Sequence, residues 1–270
     1  MDDILSKIVD RKRLEVQQLR QALDLDQIKA QALDSPLPRN FFEAVTRPKD
    51  QLRVIAEIKK ASPSAGVIRP DFDPQALAQA YHQAGAAAIS CLTDQPFFQG
   101  SLEYISQIKQ VVPLPVLRKD FILDTYQVYE SRVAGADAIL LIAECIASEA
   151  QLLDLLNLAT ELKMTTLVEV HDVENLLRVR PHIGFPHSSY VLLGINNRDL
   201  KSMTTDVNHT LRLLEMVENT EVVVSESGIR THADILRLQE AGVHRVLVGE
   251  HLMRQPDVGI ALKELMHGKS

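Results

Sequence analysis

The chain has 270 residues, of which 46% are hydrophobic and 24% are charged, values that are ordinary for a globular protein with a sizeable core. Its formal net charge of −7 at pH 7 argues against a general binder of nucleic acids or of acidic membranes. An acidic chain can still carry a local basic pocket for an anionic small molecule. The first residues lack the apolar stretch of a secretory signal, and no run reaches membrane-spanning length.

The amino-terminal part of the chain is predicted to be helical. Apolar residues recur on one face from Asp2 to about Leu33, and Phe41–Thr46 predicts a further short helix. Because this part precedes the first predicted strand, we interpret residues 1–48 as an extension of a single domain that spans residues 1–270. Two roles stay open for the extension, a packing helix and a cap across the mouth of the domain.

Eight short, mostly apolar runs follow the extension and recur every ~25–30 residues, the length of a strand plus a crossover helix. The runs are Arg53–Lys59, Ala87–Thr93, Val116–Asp120, Ala138–Ile142, Thr166–Val170, Val191–Asn197, Val222–Ser227 and Arg245–Gly249. Helix-compatible segments separate them, and three of these segments end in Ala-Gly, a usual helix stop. The pattern predicts an α/β fold, a (β/α)₈ TIM barrel. A doubly wound open sheet is the less favoured alternative, since no dinucleotide-type glycine turn is found.

The first run ends in charged residues. Alternation along a strand puts Glu57 and Lys59 on the same side. If that side faces the barrel axis, a carboxylate and an ammonium group meet at the barrel mouth, where the chemistry of such folds takes place. A purely structural ion pair is the alternative.

Lys119 ends the third run and Glu169 ends the fifth, which puts them on roughly opposite walls of the predicted barrel. A lysine at a barrel mouth can act as a general acid if burial or neighbouring cations lower its pKa. An acid and a carboxylate on opposed walls can protonate one atom and deprotonate another across a gap the size of a ring. A solvated strand end explains any one such charge, but explains several polar strand ends poorly.

Two polar residues follow the sixth run. Asn196 can orient a hydroxyl group, and Arg198 can pair with a substrate anion, with Glu169 or with Glu226. The chain has no tryptophan, so the candidates for the wall of an aromatic-ring site are Phe97, Phe98 and Phe121.

Glycine-containing ends of the seventh and eighth runs predict a phosphate site. Ser227 and Gly228 end one run, and Gly249 and Glu250 end the other. Barrels often bind phosphate with these two loops, and glycine lets backbone N–H groups come close to an anion. Ordinary turns are the alternative for either glycine alone.

Histidine and cysteine give no metal signature. The histidines are not spaced as zinc ligands, so we expect exposed or helix-capping roles for His171, His209, His244 and His251. Of the two cysteines, Cys91 is expected to be buried within a strand and Cys145 to be more exposed. With no disulfide framework, the chain is expected in a reducing cytoplasm.

The sequence closely resembles the indole-3-glycerol phosphate synthase family of tryptophan biosynthesis. The matching blocks run in order from the first strand to the last: Glu57–Gly66, Val116–Phe121, Leu167–His171, Gly194–Leu200, Ser225–Ile229 and Val248–Met253. The helical extension also fits this family. One departure is Ala65, where the family commonly has a cationic or polar residue.

The resemblance implies a carbon–carbon lyase without cofactor or metal. Its substrate would be 1-(2-carboxyphenylamino)-1-deoxyribulose 5-phosphate, and its products indole-3-glycerol phosphate, carbon dioxide and water. By motif, Lys119 would be the general acid of ring closure, Glu169 would serve the proton transfers of dehydration, and Lys59 would hold the anthranilate carboxylate. Positioning of these groups and of the sugar hydroxyls would fall to Glu57, Asn196 and Glu226. Substrate binding would fall to Ser62, Arg198, Ser227, Gly228, Gly249 and Glu250, with Phe121 as an aromatic wall.

Two rival functions fit the sequence less well. Phosphoribosylanthranilate isomerase chemistry needs a Cys/Asp acid–base pair at strand ends, which the sequence lacks. A catalytically inactive barrel that only binds partners is disfavoured by intact Lys119 and Glu169. No second barrel is expected after the predicted final helix Asp257–Met266, and other enzymes of the tryptophan pathway are the candidate protein partners.

Overall fold

The computed structural model describes residues 4–199 and 204–268. Eight parallel strands form its centre: β1 (Arg53–Ile58), β2 (Ala88–Leu92), β3 (Val116–Lys119), β4 (Ala138–Ile142), β5 (Thr165–Val170), β6 (Val191–Asn196), β7 (Val223–Glu226) and β8 (Arg245–Val248). Each strand pairs with its sequence neighbours, and β8 pairs with β1, so the sheet closes. The predicted barrel is therefore confirmed, and the open-sheet alternative is wrong. The predicted helix start at Asp2 and the block residue Leu200 lie outside the described residues.

Helices surround the barrel on the outside. They are α4 (Pro74–Ala84), α5 (Gln95–Phe98), α6 (Glu103–Val111), α7 (Thr125–Val133), α8 (Glu149–Glu161), α9 (Val173–Val179), α10 (Asn208–Leu214), α11 (His232–Glu240), α12 (Glu250–Met253) and α13 (Val258–His267). Short 3₁₀ turns lie at Ala143–Cys145, Arg180–His182 and Thr220–Val222, and a small hairpin of Ala61–Ser62 and Gly66–Val67 follows β1. The predicted Ala-Gly stops are confirmed, since Gly85, Gly135 and Gly242 all have positive φ.

Strand alternation divides the core into two layers. Inward residues such as Ile55, Leu117 and Leu167 form the inner layer, which fills the barrel. Outward residues such as Val54 and Val116 pack against the surrounding helices. This alternation sends the side chains at the carboxyl ends of the strands into the barrel mouth.

The extension consists of two long helices, α1 (Ile4–Ala22) and α2 (Leu25–Asp34), followed by α3 (Phe41–Thr46). The prediction of one continuous helix is wrong, because the Asp24 side chain accepts a hydrogen bond from the Gln27 N–H and starts a new helix. Helix α2 packs on α7.

The extension touches both ends of the barrel. At the amino-terminal end of the strands, Phe41 and Val45 of α3 are fully buried in the inner layer. The Phe42 N–H donates a 3.2 Å hydrogen bond to the Thr165 hydroxyl at the start of β5. Helix α1 lies at the opposite end, where Ile4, Leu5 and Ile8 line the mouth. The capping role is therefore the one that the position of α1 supports.

Candidate active site

A cavity of about 490 Å³ opens at the carboxyl ends of the strands. All thirteen predicted site residues line it: Glu57, Lys59, Ser62, Lys119, Phe121, Glu169, Asn196, Arg198, Glu226, Ser227, Gly228, Gly249 and Glu250. Apolar walls from α1, β4 and α5 complete the lining. The cavity therefore combines polar groups with apolar walls that suit an aromatic ring.

Lys119 lies at the centre of the charged residues. Its Nζ is 2.8 Å from Glu169 Oε2 and 2.9 Å from Glu226 Oε2. Burial lowers the pKa of Lys119, but Glu169, Glu226 and Glu57 outweigh burial and raise it above its usual range. The lowered pKa that the sequence argument named as a condition for a general acid is therefore not found, and Lys119 is held in its ammonium form.

The two carboxylates beside Lys119 have opposite tendencies. Burial raises the pKa of Glu169, but the charges of Lys119 and His171 and a 3.1 Å hydrogen bond from Asn196 Nδ2 lower it overall. Burial raises the pKa of Glu226, the charge of Glu169 raises it further, and Lys119 only partly compensates. When the surroundings lower the pKa of one carboxyl group and raise that of its neighbour, the first is suited to act as a base and the second as an acid. Glu169 is thus the group that stays ionised, and Glu226 tends to hold a proton.

Glu57 and Lys59 point to the same side of β1, into the mouth, as predicted. The Lys59 Nζ donates a hydrogen bond to Glu57 Oε1. The Glu57 carboxylate in turn lies against the backbone of Gly249, where a Cβ atom would come within 2.1 Å of Oε1. A side chain at position 249 would therefore displace the Glu57 carboxylate from its present position.

The loops after β7 and β8 meet at the mouth next to β1, because β8 pairs with both β7 and β1. Ser227 and Gly228 both have positive φ, 65° and 75°, which turns this loop sharply. Arg198 Nη2 lies 3.2 Å from Glu250 Oε2. Pairing of Arg198 with Glu169 or Glu226 is thus wrong, and its real partner comes from the start of α12.

Aromatic residues form part of the wall of the cavity. Phe98 on α5 and Phe121 after β3 have ring centroids 6.1 Å apart, and both line the cavity. Phe97 packs instead against the inner core layer. Two of the three predicted aromatic residues therefore reach the site.

Comparison with known proteins identifies the family. The family model described as "Indole-3-glycerol phosphate synthase" matches residues 5–265. The chain belongs to this family. A curated relative of that name from Rhodopirellula baltica is 47% identical over 263 residues, covering 97% of this chain and 98% of the relative. A second, from Rhodospirillum rubrum, is 47% identical over 268 residues, covering 98% of this chain and 100% of the relative.

Solved structures of other enzymes share the fold. A 3-hexulose-6-phosphate synthase superposes with a TM-score of 0.62 at 17% identity, covering 81% of this chain and 100% of that chain. A tryptophan synthase alpha-subunit from Pyrococcus furiosus superposes with a TM-score of 0.58 at 14% identity, covering 80% of this chain and 97% of that chain. At such identities the likeness shows the barrel fold alone.

Membership in the family gives the reaction. The chain is a carboxy-lyase of tryptophan biosynthesis that acts on a small phosphorylated substrate. It converts 1-(2-carboxyphenylamino)-1-deoxyribulose 5-phosphate into indole-3-glycerol phosphate, carbon dioxide and water. The predicted family and reaction are confirmed, and neither the isomerase nor the inactive barrel describes this chain.

Two buried charged groups, one lining the cavity and one on α1 outside its lining, were missed from the sequence. His171 was expected to be exposed or capping, which is wrong: its ring lies between Glu169 and Glu144, with only 7% of its side chain exposed. Strand alternation could have found it, since residues 169 and 171 share a face. Lys12 of α1 is also buried, with its Nζ 2.9 Å from Asp94 and 3.0 Å from Asp120.

The Lys12 contacts fix α1 to the barrel. Asp94 follows β2, and Asp120 directly follows Lys119 in the chain. Asp120 also accepts hydrogen bonds of 2.6 Å from Thr93 and 3.0 Å from Arg118. These buried ion pairs hold α1 of the extension in one position over the mouth. Cys145 is also buried, contrary to expectation, because the 3₁₀ turn after β4 folds it inward.

Within residues 4–199 and 204–268, no group of three or more His, Cys, Asp or Glu side chains is arranged to hold a metal ion. No helix there is long and apolar enough to cross a membrane.

Proposed function

We propose that Lys119 is the general acid of the ring-closing step. The observation that carries this proposal is the contact of its Nζ with both Glu169 and Glu226 in the cavity. In this step the aromatic carbon that bears the carboxylate attacks the ribulose carbonyl carbon. The carbonyl oxygen takes a proton from Lys119 and becomes a hydroxyl group. Loss of carbon dioxide then returns the bonding electrons to the ring, which restores aromaticity without an electron-sink cofactor.

Dehydration is assigned to Glu169 and Lys59. The hydroxyl group leaves as water with a proton from Lys59, while the nitrogen lone pair assists. Glu169 then removes the proton from the adjacent carbon, and the indole forms. The ionised state of Glu169 supports its role as the base. Before decarboxylation, Lys59 holds the anthranilate carboxylate, and Glu57 fixes the position of Lys59.

The remaining residues are assigned to binding. We assign the phosphate to backbone N–H groups around Ser227, Gly228, Gly249 and Glu250, since glycine allows close approach to an anion. Asn196 and Glu226 are assigned to the sugar hydroxyls, and Ser62 and Arg198 to further polar contacts with the substrate. Phe121 is assigned to the aromatic ring of the anthranilate. All of these residues line the same cavity.

Some broader assignments remain predictions. These are a single domain of residues 1–270 with residues 1–48 as its extension, a cytoplasmic location, no nucleic-acid or membrane partner, and other tryptophan-pathway enzymes as candidate partners.

Replacement of Lys119 by methionine tests the proposal. Methionine keeps much of the volume but has no proton to donate, so turnover should fall by about 10²–10⁴-fold or more. Binding of a non-reacting substrate analogue should persist. The matched control is Lys263→Met on the exposed surface of α13, which should keep wild-type turnover. A Lys119→Met enzyme with near wild-type turnover would refute the assignment.

A further inference from the structure

Glu169, His171 and Glu144 form a row of side chains that begins at Lys119. Glu169, the proposed base, is next to Lys119, and His171 and Glu144 lie behind it. His171 Nε2 lies 3.3 Å from Glu169 Oε1, on the oxygen that does not contact Lys119. On the far side of the ring, His171 Nδ1 lies 3.2 Å from Glu144 Oε2. The His171 backbone N–H also donates a 2.9 Å hydrogen bond to Glu144 Oε1. The imidazole is therefore held between two carboxylates.

The position of Glu144 explains why the ring is fixed. Glu144 lies in the 3₁₀ turn after β4, and its carboxylate approaches His171 through both oxygens. Within the described residues, neither His171 Nδ1 nor Glu144 Oε2 has a hydrogen-bond partner, so the two atoms face each other as an ion-pair contact. A carboxylate behind an imidazole fixes its orientation and favours its charged form.

The surroundings of His171 favour the imidazolium. The titratable groups that face it are Glu169 on its own strand, Glu144 after β4, Glu226 on β7 and His209 on α10. Burial lowers the pKa of His171, but the contacts with Glu144 and Glu169 raise it above its usual value. The charge is therefore present below this raised pKa and is lost as the pH rises through it.

Glu169 needs such a neighbour because two carboxylates share one lysine. Lys119 contacts both Glu169 and Glu226, so it cannot fully compensate either charge. Asn196 donates a hydrogen bond to Glu169 but carries no charge. A second cation at Glu169 Oε1 makes the two carboxylates unequal and decides which of them is ionised.

We propose that His171 is a positioning residue of the reaction: braced by Glu144, its imidazolium holds Glu169 in place and in the ionised form. The proposal rests on the proposed function of Glu169 as the base. It adds a charged pair, His171 and Glu144, that does not touch the reacting atoms in the assigned steps and acts through Glu169.

The test compares His171→Asn with wild-type enzyme over a range of pH. Asparagine can still donate a hydrogen bond but carries no charge. We expect kcat to fall by about 10- to 100-fold, as is common when a residue that orients a functional side chain is lost. KM should change little. The acidic limb of the kcat profile should move to higher pH by about one unit, because Glu169 loses a neighbouring cation.

Glu144→Gln is a second variant that keeps the ring and removes only the charge behind it. It should shift the acidic limb in the same direction by a smaller amount, and it keeps the test decisive if His171→Asn does not fold. His187→Asn, at an exposed histidine that does not line the cavity, is the control and should leave the profile unchanged.

The outcomes distinguish the proposed role of Glu169 as the base from the proposed role of His171 as its positioning residue. Glu169→Gln measured in parallel should lose turnover, and normal turnover in that variant would overturn the role of Glu169. If Glu169→Gln is inactive while His171→Asn and Glu144→Gln keep both the wild-type kcat and the wild-type profile, the positioning role of His171 alone is overturned.

Discussion

Replacing Gly249 by alanine should damage the enzyme through Glu57 as well as through the phosphate. A Cβ atom at position 249 would lie 2.1 Å from Glu57 Oε1, 2.7 Å from Glu57 Cδ and 3.0 Å from Glu57 Cβ. Ordinary contacts between such atoms are about 3.5 Å, so the Glu57 carboxylate must move by roughly 1 Å or more. That movement takes away the partner of Lys59.

The displacement of the Glu57 carboxylate is expected to lower the reaction rate of Gly249→Ala. A misplacement of about 1 Å in a catalytic arrangement can cost on the order of 10²-fold in rate. We therefore expect kcat/KM of Gly249→Ala to fall by about 10²-fold, with a lower kcat as well as a higher KM. Gly249→Val should be worse, since its branches also block the approach of the phosphate. The assay is steady-state turnover read by indole fluorescence.

A control variant and a double variant test whether the clash with Glu57 causes the loss of activity in Gly249→Ala. Gly85→Ala is the control, since a Cβ there meets no atom within 4 Å and lies at the end of α4. It should lose stability through its positive φ but keep its turnover. If the clash with Glu57 is the cause, the effect of Gly249→Ala should be much smaller in a Glu57→Ala background. Unchanged kcat/KM in Gly249→Ala, or strictly additive effects, would refute the reasoning.

Inorganic phosphate should compete with the substrate and bind at the loops after β7 and β8; a phosphate-soaked crystal with the anion elsewhere would contradict this assignment. Deletion of the chain through Asp34 removes α1 with Lys12 and opens the mouth, so substrate binding and turnover should both fall while the circular dichroism of the barrel persists. A truncated enzyme with full activity would reduce α1 and α2 to packing elements, and one that fails to fold would show that they mainly stabilise the barrel.

Sequence patterns predicted the barrel well because residues that are close together in the chain determine each strand–helix unit. Apolar runs repeat with every strand–helix unit and Ala-Gly stops close three of them, so errors at strand ends do not exceed one residue, as for Thr166–Val170 against the observed Thr165–Val170. The break between α1 and α2 was missed because the apolar stripe continues across it. Asp24 alone marks the break, as an N-cap residue.

The sequence brought the thirteen candidate residues to one cavity but did not indicate which of them pair with each other. Lys119, Glu169 and Glu226 come from different strands, and only their distances show that the pKa of Lys119 is raised and not lowered. Arg198 pairs with Glu250, which is 52 positions away in the chain, so no local pattern could indicate it. His171 was judged by spacing between histidines, whereas its role depends on sharing a strand face with Glu169.

Single-turnover measurement of carbon dioxide separates the roles of Lys119 and Glu169 most directly. The substrate carries a labelled carboxyl group, and released carbon dioxide and indole fluorescence are followed together. We predict that Glu169→Gln releases carbon dioxide at close to the wild-type rate but stalls before the indole forms, whereas Lys119→Met releases neither product. Simultaneous loss of both signals in Glu169→Gln, or a stall after carbon dioxide release in Glu57→Gln instead, would contradict the assignment of Glu169 as the base of dehydration.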